Sequence, residues 1–378
     1  MHLMSNGIPG RRTAGVILVG THPWTNSAFD RLMPRTLLPI AHRPLISYAL
    51  SWMHRAGLHD VIVCGNRETQ TLRKVLGRHA PRGMNVRYQE DAMPRGAGGS
   101  LRDAIASSDA DTFIVTDGTV IPNVDVAELL RTHQQSMAAV TVVVHTEARR
   151  HGNPGLQVPT GVYVFERESV AAVPERGFCD IKEKLLTQLY RDGLHIATFE
   201  AGAPSPRVLN ESTYLAVNEW VIEQLASGGT VPEGYQLHGN ALVHREASVA
   251  HDAVIVGPVV VAAGAQIRSQ AVIVGPSSIG RDAIIEAGAF VSRSAIWRRS
   301  IVGTGASADR CVVGDDAVVG AQLRAHQSVV VELNADRTAP TRQHNMPAGV
   351  PNMPTLELAR KVGRALTGAE WSRSPAAP

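Results

Sequence analysis

The sequence predicts an α/β domain with a mostly parallel sheet, followed by a left-handed parallel β-helix. Two periodic patterns indicate this fold class. In the first half, short apolar runs alternate with segments of helical periodicity, as in a parallel sheet covered by helices on both faces. From Val243 onward, an aliphatic residue recurs every six positions, which is the repeat of the β-helix. The chain of 378 residues is also too long for one ordinary domain.

The six-residue repeat is the clearer of the two patterns. A small or compact residue follows each aliphatic residue after four positions, as a crowded corner of a triangular coil requires. The aliphatic positions are Val243, Val249, Ile255, Val261, Ile267, Ile273, Ile279, Ile285 and Val291. An ordinary meander of strands would not keep this offset. Three repeats close one coil, and each coil buries its faces only by stacking on the next.

The repeat changes phase after its ninth unit. We predict a slip of four residues across residues 297–300, after which the interior position resumes at Ile301. Val313 and Val319 are then in phase, and Ser307 is a polar exception.

The first half predicts five strands, at residues 15–20, 61–65, 85–89, 113–117 and 140–145, and helices at residues 44–56, 69–76 and 99–106. In such sheets the ligand site lies at the carboxyl ends of the strands. We therefore expect Gly20, Gln89 and Asp117 on one rim.

Composition narrows the function classes. A net charge of +3 without a long Lys/Arg run argues against a nucleic-acid partner. The cysteines Cys64, Cys179 and Cys311 are far apart, which excludes metal-ligand spacing and favours a reducing cytoplasm. We also expect no membrane partner, because neither a signal sequence nor an apolar stretch of membrane-spanning length occurs.

Residues 16–40 (VILVGTHPWTNSAFDRLMPRTLLPI) resemble the opening of sugar-1-phosphate nucleotidyltransferases, especially the mannose-1-phosphate guanylyltransferase group, whose pattern VILAGGxGTRLxPxTxxxPKPLLPI aligns without a gap. Later stretches also resemble family motifs, at residues 43–48, 89–101, 161–165, 179–182 and 214–218. The resemblance implies a Rossmann-like nucleotide-binding domain at residues 13–230 and a β-helix at 240–335. A tail at 336–378 would contain a short helix at 356–366.

The resemblance implies a reaction in which a sugar-1-phosphate attacks the α-phosphorus of a nucleoside triphosphate and pyrophosphate leaves, with GTP and mannose-1-phosphate as the first expectation. Mg²⁺ would be held by two Asp carboxylates. Mapped onto this chain, the catalytic cation is Arg35 and the first metal ligand is Asp117. The nucleotide-binding positions are Gly20, Gln89, Gly96, Gly98 and Gly99.

The chain departs from the family pattern at several of its site positions. After Gly20, Pro23 removes a backbone donor and Trp24 adds bulk. The family's catalytic Arg is Thr25 here, and its second metal Asp is Arg207, whose charge would repel Mg²⁺. The sugar-contacting Glu-Lys-Pro segment is absent. We therefore expect catalysis to be impaired.

Three functions remain open. One is a pyrophosphorylase with a remodelled site. Another, which we favour slightly, is a regulatory or scaffolding subunit that binds a nucleotide sugar or an active homologue. The third and least favoured is a β-helix acyltransferase with His251 or His326 as base, since no long loop interrupts the coils. The resemblance implies a homo-oligomer or hetero-oligomer through the β-helix.

Each retained site residue also has a purely structural interpretation. Gly96, Gly98 and Gly99 would form a tight loop, Asp117 would be a polar strand end, and Arg35 would be a surface charge.

Overall fold

A computed structural model describes residues 11–19, 29, 32–65, 69–90, 95–147, 156–228, 231–331 and 342–345. The chain divides into two compact units. The first runs to Leu38 and resumes from Arg43 to Val208, and the second takes Pro39–His42 and the chain from Leu209 onward. This division falls before residue 230, the boundary that the sequence suggests.

The first unit is built on a seven-stranded sheet. The strands described up to residue 200 are β1 (Thr13–Leu18), β2 (Pro39–Ile40), β3 (Arg43–Pro44), β4 (Asp60–Gly65), β5 (Asn85–Glu90), β6 (Thr112–Asp117), β7 (Val140–Glu147), β8 (Leu156–Glu166) and β9 (Ile196–Glu200). The sheet order is β5-β4-β1-β6-β8-β7-β9. Only the pairs made by β8 are antiparallel, so the predicted mostly parallel sheet is confirmed.

Helices cover both faces of this sheet. They are α1 (Ile46–Arg55), α2 (Thr69–His79), α3 (Gly96–Ala106), α4 (Val126–Ser136) and α5 (Leu186–Arg191), with 3-10 turns at Arg35–Leu37 and Arg167–Ala172 and a π turn at Ile181–Leu185. Alternate residues of β1 face different cores. Val16 packs in one apolar cluster with Leu101 of α3, and Ile17 packs in the other with Leu50 of α1, as the two-residue period of a strand requires.

The second unit consists of helix α6 (Glu211–Ser227) and a parallel β-helix. Its strands are β10 (Tyr235–His238), β11 (Ala241–His244), β12 (Ser248–Val249), β13 (Val254–Val256), β14 (Val259–Val261), β15 (Gln266–Ile267), β16 (Val272–Val274), β17 (Ser277–Ile279), β18 (Ile284–Ile285), β19 (Phe290–Ser292), β20 (Ala295–Ile296), β21 (Ile301–Val302), β22 (Ser307–Asp309), β23 (Val312–Val313), β24 (Val318–Val319), β25 (Arg324–His326), β26 (Ser328–Val331) and β27 (Arg342–Asn345). Every third strand from β11 to β26 joins the same sheet, which gives the coil three faces. The left-handed β-helix is thus confirmed.

The interior positions after Val291 differ from the prediction. The next interior residue is Ile296, and the two that follow are Val302 and Ala308, not Ile301 and Ser307. The predicted polar exception inside the prism is therefore absent from the described coils, because Ala308 takes that place.

The cause is a change in coil length. Val261 pairs with Ile279, 18 residues later, whereas Ile279 pairs with Ile296 and Ile296 with Val313, each 17 residues later. One residue is missing at one corner of each later coil. These corners contain Arg293, Arg310 and Gln327, each with a positive φ, as a tighter left-handed turn requires.

Helix α6 binds the short segment Pro39–His42 within the second unit. The buried Asn218 accepts a hydrogen bond from the backbone N–H of Ala41 at 2.8 Å and donates one to Oγ of Ser278 at 3.2 Å. Tyr214, fully buried, donates from its hydroxyl to the carbonyl oxygen of Pro39 at 2.6 Å. This gives a structural role to two residues of the family-like segment 214–218.

Of the predicted tail, the structure describes only β27, which pairs antiparallel with β26. The helix predicted at residues 356–366 lies outside the described residues. Among the helices that the structure describes, none combines the length and apolar character needed to cross a membrane.

Candidate functional site

The carboxyl ends of four parallel strands form the rim of the first unit. Leu18 at the end of β1 lies between Cys64 on one side and Asp117 on the other, and Cys64 in turn pairs with Gln89. Gln89 and Asp117 thus lie on one row across the sheet, as the sequence predicts. Gly20 lies outside the described residues, as do the departures at Pro23, Trp24 and Thr25.

Asp117, the last residue of β6, is engaged through both carboxylate oxygens. Its Oδ1 accepts hydrogen bonds from the backbone N–H of Thr119 at 2.9 Å and from the Thr119 hydroxyl at 2.8 Å. Its Oδ2 accepts a hydrogen bond from Nη2 of Arg207 at 3.0 Å. The position of the family's second metal Asp therefore holds a guanidinium that forms an ion pair with the first.

The backbone around Arg207 explains why its side chain reaches this carboxylate. Arg207 forms an isolated antiparallel bridge with Val120, just beyond the end of β6. The N–H of Val208 donates to the carbonyl oxygen of Thr119 at 3.0 Å, and the N–H of Ile121 donates to that of Pro206 at 2.9 Å. These bonds hold the segment alongside the loop that follows Asp117.

Gly161 in β8 makes room for the guanidinium. Its φ is +89°, and a Cβ added there would overlap Nη2 of Arg207 and come within 3.3 Å of Cγ2 of Val120. A side chain at position 161 would therefore move Arg207 away from Asp117.

The described residues do not fit a Mg²⁺ ion bound by two carboxylates. Mg²⁺ needs oxygen ligands at about 2.0–2.1 Å in near-octahedral geometry. Asp117 already accepts three hydrogen bonds, and the second carboxylate is replaced by the cation Arg207. Within the described ranges, no three His, Cys, Asp or Glu side chains come together as a metal-binding group. Asp117 as a metal ligand stays a prediction that this geometry does not favour.

A second pair of charges and a phenol lie close to the ion pair. Oδ1 of Asp180 accepts hydrogen bonds from the backbone N–H groups of Lys182 at 2.7 Å and Glu183 at 3.0 Å, and so caps the π turn. Burial, together with the positive charge of Arg207, lowers the pKa of Lys182. Burial raises the pKa of Tyr163 on β8, so its phenol stays protonated.

Arg35 is buried, with 5% of its surface exposed, so the interpretation as a surface charge is wrong. It begins a 3-10 turn whose next residue, Thr36, lies against Gly118: a Cβ on that glycine would be 2.9 Å from Cγ2 of Thr36. The turn is thus adjacent to the residue that follows Asp117. Its role as the catalytic cation stays a prediction.

The three glycines of the predicted nucleobase loop lie at the start of α3 and pack tightly. The N–H of Gly98 donates to the carbonyl oxygen of Cys179 at 2.9 Å. A Cβ on Gly96 would be 2.6 Å from that oxygen, and one on Gly99 would be 2.5 Å from Cβ of Arg95. Close packing alone accounts for all three glycines, and their contact with a nucleobase stays a prediction.

Sequence reasoning missed Lys182 and Tyr163, which share the electrostatic environment of Asp117 and Arg207. Both residues lie in stretches that resemble family motifs, 161–165 and 179–182, but the sequence gives neither of them a role. The two histidines of the acyltransferase hypothesis are exposed on the β-helix. Nδ1 of His326 lies 2.8 Å from Oδ2 of Asp309.

Two family models match the chain. Residues 16–201 match the MobA-like NTP transferase domain, and residues 255–336 match the GMPPB C-terminal domain.

Curated relatives have low sequence identity to the chain. Mannose-1-phosphate guanylyltransferase of Mycobacterium tuberculosis is 26% identical over 279 residues, covering 67% of this chain and 76% of that protein. Glucose-1-phosphate thymidylyltransferase of Streptomyces antibioticus is 26% identical over 264 residues, covering 62% of this chain and 73% of that protein. The crystal structure of HddC from Yersinia pseudotuberculosis aligns with a TM-score of 0.47 at 14% identity, covering 56% of this chain and 99% of that one.

Proposed function

Because the chain belongs to the sugar-1-phosphate nucleotidyltransferase family, we propose that its first unit binds a nucleotide sugar and that nucleotidyl transfer is impaired. The chain then acts as a regulatory or scaffolding subunit, alone or with an active homologue bound through the β-helix. GDP-mannose is the first ligand to test, since one similar protein is a mannose-1-phosphate guanylyltransferase.

The observation that carries this proposal is the ion pair between Asp117 and Arg207. Phosphoryl transfer of this kind depends on positioning and on neutralising the charge of the leaving pyrophosphate. Loss of one such stabilising group typically costs about 10²–10³ in rate. Here Arg207 replaces a carboxylate and also engages the one that remains. Losses within one catalytic unit are not additive. We therefore expect turnover near background, and we do not multiply the rate losses of the individual groups.

Other features of the site support retention of an anionic ligand. Arg207 and Lys182 place positive charge near the end of β6, and Arg35 lies in the buried turn next to Gly118. Phosphate groups bind such clusters through charge-assisted hydrogen bonds. A scaffold that keeps its cations while its metal-binding pair is altered is better suited to binding than to turnover.

Residual catalysis is the alternative, and Arg35 favours it, because this buried cation belongs to the turn whose Thr36 lies against Gly118. A cation there could still offset charge on a phosphate. The two functions differ in one measurable quantity, the release of pyrophosphate.

The test combines pyrophosphate release with ligand binding. Purified chain is given Mg²⁺, a panel of nucleoside triphosphates and a panel of sugar-1-phosphates, with the mycobacterial relative as positive control. Binding of GDP-mannose and other nucleotide sugars is measured by calorimetry. We expect binding of at least one nucleotide sugar and no release above background.

Arg35→Ala tests whether any release comes from this site, and Arg55→Ala, at an exposed position of α1, is the matched control. Release that Arg35→Ala abolishes and Arg55→Ala preserves would establish the enzyme instead. If none of the nucleotide sugars tested binds, the proposed binding function is refuted.

A further inference from the structure

We infer that the guanidinium of Arg207 replaces the divalent cation of this site: the site holds no such ion, and a diphosphate group is bound directly by Arg207. The second half rests on the proposed function, because it needs a nucleotide sugar as ligand. The first half concerns only the chain's own residues.

The first argument is the occupation of Asp117. Its Oδ1 accepts two hydrogen bonds from Thr119 and its Oδ2 accepts one from Arg207. Of about four acceptor positions on a carboxylate, the one that remains is on Oδ2, the oxygen that holds Arg207. A divalent ion there would approach a fixed guanidinium of like charge, without the second carboxylate that would compensate for the repulsion.

The second argument is that Arg207 is fixed before any ligand arrives. The bridge to Val120 holds its backbone, and the absent side chain of Gly161 leaves a space that its Nη2 occupies. Its side chain is 26% exposed, so it is neither buried away from ligands nor free in solvent. A group held in this way loses little conformational entropy when it binds a ligand.

The third argument is the number of donors that remain. A guanidinium has five N–H donors in a planar fork that matches phosphate geometry. The bond to Asp117 uses one donor of Nη2, and the buried Nε is out of reach of a ligand. The remaining donors, on Nη1 and Nη2, belong to a side chain that is 26% exposed. Arg207 can therefore hold Asp117 and still donate to phosphate oxygens.

The charges around the pair are already balanced without a metal ion. Asp117 and Asp180 contribute two negative charges, and Arg207 and Lys182 contribute two positive ones. An incoming diphosphate brings its own negative charge to two cations, whereas a divalent cation would add its charge to them.

The test of the first half is Mn²⁺ binding to the full chain, followed by electron paramagnetic resonance of free Mn²⁺. We expect the wild type to bind no Mn²⁺ at this site. Arg207→Asp restores a second carboxylate and should create one Mn²⁺ site per chain, which an added Asp117→Asn should remove. Arg191→Asp makes the same charge change at an exposed position of α5 and should bind none.

A wild-type Mn²⁺ site that Asp117→Asn abolishes would overturn the inference, whether or not the Arg207→Asp chain folds. Circular dichroism checks the fold of each variant.

The test of the second half is the affinity for GDP-mannose, measured by calorimetry in excess Mg²⁺ and in EDTA. We expect the same affinity in both buffers, and a loss of about tenfold to a hundredfold in Arg207→Ala, the range for one charge-assisted hydrogen bond. Binding that requires Mg²⁺ would overturn the inference but leave the proposed function intact. Absence of binding of any nucleotide sugar in either buffer would overturn the proposed function, while the Mn²⁺ measurement would still decide the first half.

Discussion

Replacing Gly161 with alanine should separate Arg207 from Asp117 without touching either residue. Gly161 has a φ of +89°, and its missing Cβ leaves the space in which Nη2 of Arg207 lies. The added methyl group is carried by the backbone of β8, whose next residues Val162 and Tyr163 pair with β6 and β7. The guanidinium is the end of a flexible side chain, so it moves instead.

A second glycine separates the two contributions to the cost of Gly161→Ala, backbone strain and loss of the ion pair. Gly177 has a φ of +93°, but a Cβ there would meet nothing within 4 Å. Gly177→Ala thus reports backbone strain alone, about 1 kcal/mol from the left-handed conformation, partly offset by lost freedom of the unfolded chain. Gly161→Ala adds the loss of an ion pair whose members are 26% and 40% exposed, which contributes at most about 1 kcal/mol. We therefore expect Gly177→Ala to lower the free energy of unfolding by about 1 kcal/mol and Gly161→Ala to lower it by about 2 kcal/mol.

The assay is urea unfolding followed by circular dichroism, with the first transition compared among variants. A double-mutant cycle provides the decisive number. In an Arg207→Ala background, most of the excess cost of Gly161→Ala over Gly177→Ala should disappear, and only the cost of the 3.3 Å approach to Cγ2 of Val120 should remain. If the full excess persists there, or if the two alanines cost the same in the wild type, the guanidinium does not depend on Gly161 for its place.

Further predictions concern the second unit. Val302→Thr places a hydroxyl inside the prism and should cost about 1–3 kcal/mol in urea unfolding, more than Ile301→Thr; the reverse order would contradict the 17-residue coils. Asn218→Ala leaves the N–H of Ala41 without its acceptor and should lower stability by about 2 kcal/mol; a change below about 0.5 kcal/mol would show that this bond matters little. Desolvation lowers the pKa of His42 from 6.5 to about 4, so the unfolded chain takes up a proton first as the pH falls. The contribution of His42 to the free energy of unfolding should be fully present above pH 6.5 and fall by up to about 3 kcal/mol towards pH 4. His42→Gln should remove this pH dependence. If the dependence remained in that variant, it would not come from His42.

Local periodicity was sufficient to predict the mostly parallel sheet and the β-helix. The alternation of strands and helices and the six-residue repeat are properties of neighbouring residues, and they do not depend on the rest of the fold. The phase error after Val291 shows the limit of this reasoning. Ile301 and Val302 are both aliphatic, and only the pairing of Ile285 with Val302 across coils decides which one points inward.

The candidate site depends on contacts between distant parts of the chain. Arg207 and Asp117 are 90 residues apart, and the sequence predicts repulsion of a metal ion at position 207 but not a bond to Asp117. The glycines of α3 show the opposite problem. The positions of Gly96, Gly98 and Gly99 match a nucleobase loop, yet the packing of Gly96 and Gly98 against Cys179 follows from the fold and has no local pattern.

The segment Pro39–His42 is synthesised long before the helix that binds it. Ala41 bonds to Asn218, a residue made 177 positions later, and chains grow at about 5–20 residues per second. The segment therefore waits roughly ten to thirty-five seconds after translation for its acceptor to appear. During that time the chain on both of its sides can fold as part of the first unit. If the chain from residue 209 onward were expressed alone, the second unit would lack this segment. Adding residues 39–42 as a separate peptide should restore the contact with Asn218.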